Sequence, residues 1–183
     1  MTVRLAANLA FLFTEEPYLD RFAAARRAGF TAVEFPWPGP AMAAAAAAAA
    51  AAGVQVVQMN MDAGDLDAGD RGYGNDPRRR DEWRSAFDDA LAWSGRLGCG
   101  SVNVLTGNRI RGVTERAQRG CFLDNLAWAI PRAGKHGVVL LLEVLNDRDA
   151  PRYLLTRLSR AITLVEGFGD PALRLSSTPT TWR

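Results

Sequence analysis

Short apolar, β-like runs alternate with longer helical patterns along this chain, and that alternation limits the fold more than any other feature. Strands are predicted over 3–8, 30–35, 54–60, 101–105 and 137–143, and a sixth starts over 172–175. Helices are predicted between them, over 15–28, about 40–52, 81–97, 114–133 and 152–167. Gly29, Gly53 and Gly98 act as stop signals for the first three. Strands and helices in this order argue for a parallel sheet. The strands are near-continuous apolar runs, such as Val138-Val139-Leu140-Leu141-Leu142, which suits a sheet buried on both faces.

Periodicity does not separate a barrel from an open doubly wound sheet, but the strand ends help. A (β/α)8 barrel carries its catalytic groups at the C-terminal ends of several strands. Asn8, Glu34, Asn60, Thr106 and Glu143 fall at or just beyond five successive predicted strand ends. An open sheet gathers its ligand groups at one switch point instead. No GxGxxG follows the first strand and no GxxxxGK[ST] is present, so the main nucleotide-binding signatures are missing. A complete barrel needs ~250 residues. The 183 residues here are therefore expected to form an incomplete (β/α)8 TIM barrel of about five and a half βα units.

Glu143 is the most informative residue. It ends the most hydrophobic strand, and a carboxylate there is costly to bury unless it is paired or binds a metal. Two readings stand side by side. Glu143 moves protons and ligates a divalent ion, as an aldose–ketose isomerisation requires. Alternatively it pairs with an arginine, Arg148 being the obvious one.

The remaining features narrow the function by exclusion. Basic and acidic residues nearly balance, 22 against 20, which does not favour a nucleic-acid partner. The run Arg78-Arg79-Arg80 is flanked by Asp76, Asp81 and Glu82 and reads as the solvated start of a helix rather than a phosphate site. Cys99 and Cys121 belong to no CxxC pair and read as small core residues. The alanine run from Ala43 to Ala52 is too short to span a bilayer. Met1–Leu5 does not read as a secretory leader, so no membrane partner and a cytoplasmic location are expected. His136 lies in the turn before the fifth strand, opposite the catalytic end, and is expected to have a capping or solvent role.

The ordered set of segments resembles the hydroxypyruvate isomerase family, within the xylose isomerase-like barrels. The matching pieces begin with Ala6-Ala7-Asn8-Leu9 and Leu12-Phe13-Thr14-Glu15. Asp20 to Ala25 follows, with Ala28-Gly29-Phe30 and Val33-Glu34-Phe35. The loop carries Ala63-Gly64-Asp65 and Ala68-Gly69-Asp70-Arg71-Gly72. Asp124-Asn125-Leu126, Leu142 to Asn146 and Arg148-Asp149-Ala150-Pro151 complete the set. The resemblance implies interconversion of hydroxypyruvate and tartronate semialdehyde, in glyoxylate and carbohydrate metabolism. It implies a small hydroxy-carbonyl substrate, a divalent metal (Mg²⁺ or Mn²⁺), and room for an oligomer. It makes Glu143 both catalytic residue and metal ligand, and places Asn8, Asn60 and Arg71 around the substrate. An isomerase or epimerase of another short 2-oxo sugar acid, a non-catalytic barrel remnant, and a DNA-cleaving relative with a multi-histidine metal cluster are the alternatives. His136, the only histidine, speaks against the last.

The chain departs from the family pattern in four places. Val144 stands where proline is usual, Asn103 where histidine is usual, and poly-alanine replaces a mixed second helix. The family's sixth strand runs into a segment like Gln-Leu-Asp-Thr-Tyr-His-Met-Ala, whereas this chain ends Ser176-Ser177-Thr178-Pro179-Thr180-Thr181-Trp182-Arg183. Of the 22 basic residues, Lys135 is the only lysine and the other 21 are arginine, a usage typical of GC-rich coding. Written in GC-rich codons and read one base late, the family segment spells Ser176–Arg183. A partial barrel over 1–175 and an out-of-frame tail over 176–183 are therefore expected. Thr178 and Thr181 would stand in place of an Asp ligand and a His, and the chain as written would be inactive.

Overall fold

The computed structural model describes residues 4–176. The expected tail lies outside the described residues apart from Ser176. Six strands form one parallel sheet: β1 (Ala7–Asn8), β2 (Ala32–Phe35), β3 (Gln55–Asn60), β4 (Ser101–Val104), β5 (Val139–Glu143) and β6 (Leu173–Ser176). Five helices connect them: α1 (Arg21–Arg27), α2 (Met42–Ala52), α3 (Arg80–Leu97), α4 (Glu115–Lys135) and α5 (Leu158–Phe168).

The spatial order of the strands is their order in sequence, β1 to β6, with every neighbouring pair parallel. Parallel crossovers are right-handed. An order that never reverses keeps all the helices on one side and has no switch point. This is an arc of a barrel with its strand C-termini at one rim, and the doubly wound alternative is excluded. Among the described residues β1 and β6 are the two edges.

The helix side of the sheet holds the core. Phe22 on α1 meets Phe35 edge-on at 5.6 Å. Trp83 stacks on Phe87 at 5.7 Å, and Phe87 meets Trp128 at 5.6 Å, which joins α3 to α4. Cys99 and Cys121 are buried and unpaired, as core residues should be, and burial pushes both thiols up. The second helix has almost no polar side chain, yet Met42, Ala45 and Ala49 still fall on one buried face.

Several boundaries differ from the sequence-based expectation for physical reasons. The first helix was expected over 15–28 but begins at Arg21, after one 3-10 turn over Tyr18–Asp20. Pro17 precedes that turn with ψ 146, outside helical geometry, so the helix cannot run through it. The fifth was expected from 152 but begins at Leu158. The preceding segment instead bonds to the loop after β4: Arg109 N–H donates to the Arg152 carbonyl (2.6 Å) and Leu154 N–H to that of Gly107 (3.0 Å). Burial on both faces holds on β4, where Val102, Asn103 and Val104 are all buried, but not on β5. On β5, Leu140 and Leu142 are buried, while Val139, Leu141 and Glu143 alternate with them at partial exposure. The described strands form an open arc, so the concave face is lined without being filled.

The Arg78–Arg80 run opens α3 as expected. Arg78 pairs with Asp76 (2.8 Å), Arg79 with Glu82 (2.6 Å) and Arg80 with Asp124 (3.0 Å).

Candidate active site on the concave face

Strand alternation sends every second side chain to the concave side. There, side chains from neighbouring strands meet in two short chains of hydrogen bonds. Asn8 on β1 donates to Glu34 Oε1 on β2 at 2.7 Å. A register shift between Val33 and Glu34 sets Glu34 opposite Gln58 rather than Val57. Further along, Asn103 on β4 donates through Nδ2 to Asn60 Oδ1 on β3 (3.2 Å) and to Glu143 Oε2 on β5 (2.8 Å).

Glu143 is therefore held by an amide, not by a cation. Among the described residues it has no ion pair; Arg148 is exposed, and its backbone N–H caps Asn146 Oδ1 (3.0 Å). The arginine-paired reading of Glu143 is set aside on this geometry. Burial pushes the Glu143 carboxyl up, the Asn103 hydrogen bond pulls it back down, and the charge of Glu34 adds to the rise. The Oδ1 of Asn103 is buried without a hydrogen-bond partner.

Asn8, Asn60 and Glu143, all singled out in the sequence, stand on this face. Arg71 does not join their hydrogen bonds. It lies in the loop after β3, and its Nη1 donates to the carbonyls of Asp70 (2.6 Å) and Leu66 (3.1 Å). It lines a separate polar cavity of about 170 Å³.

Two site residues were not singled out as such. Asn103 had been noted only as a departure from histidine, yet it links Asn60 to Glu143. Tyr153 had been placed in a helix, yet it is fully buried. Its hydroxyl accepts the Thr106 N–H (2.9 Å) and donates to the Glu143 carbonyl (3.3 Å), tying the ends of β4 and β5 together. Thr106, the fourth strand-end residue, sits just past β4 and is buried. Its position positions the rim rather than the concave face. An interrupted apolar run with one tyrosine among prolines and arginines carries no signal that would have revealed Tyr153.

The larger cavity, about 400 Å³, lies in the outer layer between α4 and α5. Its walls are mainly apolar, with Phe122, Leu123, Leu155 and Leu164. Its lining includes no carboxylate or histidine. His136 follows α4 with its ring Nδ1 2.9 Å from the Arg132 carbonyl, exposed, in the capping role expected of it.

Among the described residues, no three Asp, Glu, His or Cys side chains converge on one point. A hard divalent cation takes six or more oxygen ligands. Glu143 fits as one such ligand, but the described residues do not complete a shell. No helix among them is long and apolar enough to cross a membrane.

A six-stranded arc with helices on one side and a polar concave face ending in a half-buried glutamate is what a β/α barrel presents. Residues 22–176 match the xylose isomerase-like TIM barrel family, and the chain belongs to that family. A putative hydroxypyruvate isomerase of Streptomyces coelicolor is 41% identical over 172 residues, covering 89% of this chain and 62% of the relative. A 2-oxo-tetronate isomerase of Pectobacterium atrosepticum is 37% identical over 169 residues, covering 92% and 64%. A Brucella melitensis crystal structure described as an AP endonuclease of family 2 superposes with a TM-score of 0.88 at 32% identity, covering 96% of this chain and 68% of that one. The chain thus spans under two thirds of the length of these two curated isomerases.

Proposed function

We propose that this chain has the site of an aldose–ketose isomerase interconverting hydroxypyruvate and tartronate semialdehyde, with Glu143 moving the proton. The observation that carries the reading is a half-buried strand-end carboxylate, raised in pKa, in no ion pair with an arginine among the described residues and steadied by one amide. A carboxyl raised toward neutrality is suited to both taking and returning a proton. Glu143 removes a proton from C3 of hydroxypyruvate, leaving an enediolate across C2 and C3. It returns that proton to C2, while a second proton moves from the C3 hydroxyl to the C2 oxygen. Asn103 holds the Glu143 carboxylate in place, and Asn8 and Asn60 offer amides to substrate oxygens. A bound Mg²⁺ or Mn²⁺ would stabilise the enediolate charge, with Glu143 as one of its ligands. No further ligand is assigned.

The Pectobacterium relative favours a close second reading, the same chemistry on a four-carbon 2-oxo acid. A non-catalytic remnant is the alternative outside enzymes. The proposal extends to the tail: with residues 176–183 read as out of frame, the 183 residues alone do not turn over, and restoring the frame after Leu175 restores turnover.

The test is an assay of hydroxypyruvate and tartronate semialdehyde interconversion with added Mg²⁺ or Mn²⁺, on the 183-residue chain and on its frame-restored version. Glu143→Gln is made in each. Turnover in the restored chain that falls about 10²- to 10⁴-fold with Glu143→Gln supports the proposal. Turnover that survives this substitution refutes the role of Glu143. Turnover in the 183-residue chain refutes the tail reading.

A further inference from the structure

Three loops meet on the catalytic side of the sheet around the 170 Å³ polar cavity, which is lined by Gly69, Arg71, Asn108, Asp149 and Arg152, with Ala150 and Pro151 beside them. They follow β3, β4 and β5 and are fastened to one another. Asn108 Nδ2 donates to the Gly69 carbonyl (2.9 Å). Asn108 also forms an isolated antiparallel bridge with Tyr153. Arg109 donates through Nη1 to the Tyr153 carbonyl (2.9 Å). The walls of the cavity are therefore set before any ligand arrives.

Arg71 and Arg152 both line this cavity. Arg71 commits one nitrogen, Nη1, to loop carbonyls. Arg152 lies against Gly69, where an added Cβ would sit 3.3 Å from its Nη2. Gly69 also has φ +91, which other residues rarely adopt. Among the described residues no carboxylate forms an ion pair with either arginine. Asp149, the one acidic residue in the lining, accepts from Asn146 instead (2.8 Å). The cavity thus carries two positive charges against one negative.

We propose that this cavity is a carboxylate subsite, in which Arg152, together with Arg71, grips the carboxylate of a short hydroxy or oxo acid. The assignment of a substrate carboxylate rests on the isomerase reading above; the subsite itself rests on the cavity. Arginine presents a planar fork that matches a carboxylate with two parallel hydrogen bonds. The volume is well below that of a drug-sized pocket and suits a single carboxylate group. The concave face already carries Glu34 and Glu143. An anionic substrate needs its own charge held away from them, and this pair of arginines provides the counter-charge at the rim. The neighbour of Arg152 in sequence, Tyr153, bonds the Glu143 carbonyl, so the subsite and the catalytic strand share one rigid segment. Arg152 is therefore a specificity residue: it selects 2-oxo acids over uncharged hydroxy-ketones.

Isothermal titration of the 183-residue chain with D-glycerate, with glycerol and with inorganic phosphate tests this without turnover. The expected result is binding of glycerate and none of glycerol, weakened about 10- to 100-fold by Arg152→Gln and by Arg71→Gln. Arg152→Lys is expected to recover part of the affinity, since it keeps the charge but not the fork. Amide chemical shifts of Gly69 and Asn108 in the unsubstituted chain should move with glycerate, which locates the site even if a variant folds poorly. The proposal is overturned by absent glycerate binding, by binding indifferent to Arg152→Gln, or by phosphate binding as tightly as glycerate. Glu143→Gln separates the two claims. Glycerate binding that persists in that variant, with no isomerisation by the frame-restored chain, refutes the isomerase reading and leaves the subsite standing.

Discussion

On β5, Leu140 and Leu142 point to the helices and are buried completely, while Val139, Leu141 and Glu143 face the concave side and keep some exposure. The same division holds on β2 and β3: Val33 and Phe35 against Glu34, Met59 against Asn60, while on β4 the concave-side Asn103 is itself buried. One face is close-packed hydrocarbon and sets stability. The other is a set of amides and carboxylates that meet only because the strands are in register. Neither face follows from the other, because a side-chain period of two lets adjacent residues serve different ends. Loss of volume is expected to cost most on the helix face, whereas the concave face places polar groups where hydrocarbon would be more stable.

That division is breakable, starting with its largest consequence. Leu142→Ala removes a wholly buried side chain and should cost about 2–5 kcal/mol in chemical denaturation. Leu141→Ala, one residue earlier and half-open, should cost about 1 kcal/mol. Equal losses would mean that the concave face is as closely packed as the other.

A smaller effect comes from the carboxylate. Because burial raises the folded-state pKa of Glu143 above its unfolded value, the native chain holds that proton more tightly. Its stabilising contribution is complete below the ordinary carboxylate range and is lost as pH rises through the raised value. Glu143→Gln, which keeps an acceptor for Asn103, should therefore be more stable than the unsubstituted chain at neutral pH. The gap should close as pH falls toward 4. Thermal unfolding across pH measures it, and a gap that widens on acidification would contradict the burial argument.

The smallest effect belongs to the outer surface. Arg80 and Asp124 form an exposed pair at 3.0 Å, and Asp124→Asn should change stability by under about 1 kcal/mol, less at high salt.

The sequence made the helix face easy to read, because long apolar runs and helical spacing are local signals. All six strands and five helices were foreseen, with boundaries moved at Pro17 and at the 152–157 segment by backbone bonds between distant loops. The concave face was legible only where a polar residue interrupts an apolar strand, as at Glu143, or ends one, as at Asn8 and Asn60. Asn103 lies inside an apolar strand and looks like a flaw until register brings it between Asn60 and Glu143. The contacts of Tyr153 and the meeting of Arg71 and Arg152 around one cavity depend on how loops after three different strands come together. Contacts 39 to 47 residues apart, such as Asn108 to Gly69 and Tyr153 to Thr106, leave no trace in local pattern.

The most direct test of the concave face as a tuned site is a ¹³C NMR titration of the glutamate side chains in the 183-residue chain, with Glu143 assigned by Glu143→Gln. Glu143 is predicted to titrate above the exposed glutamates, to fall when Glu34→Gln removes the neighbouring charge, and to rise when Asn103→Ala removes its hydrogen bond. A Glu143 that titrates with the exposed glutamates and ignores both substitutions would contradict the account.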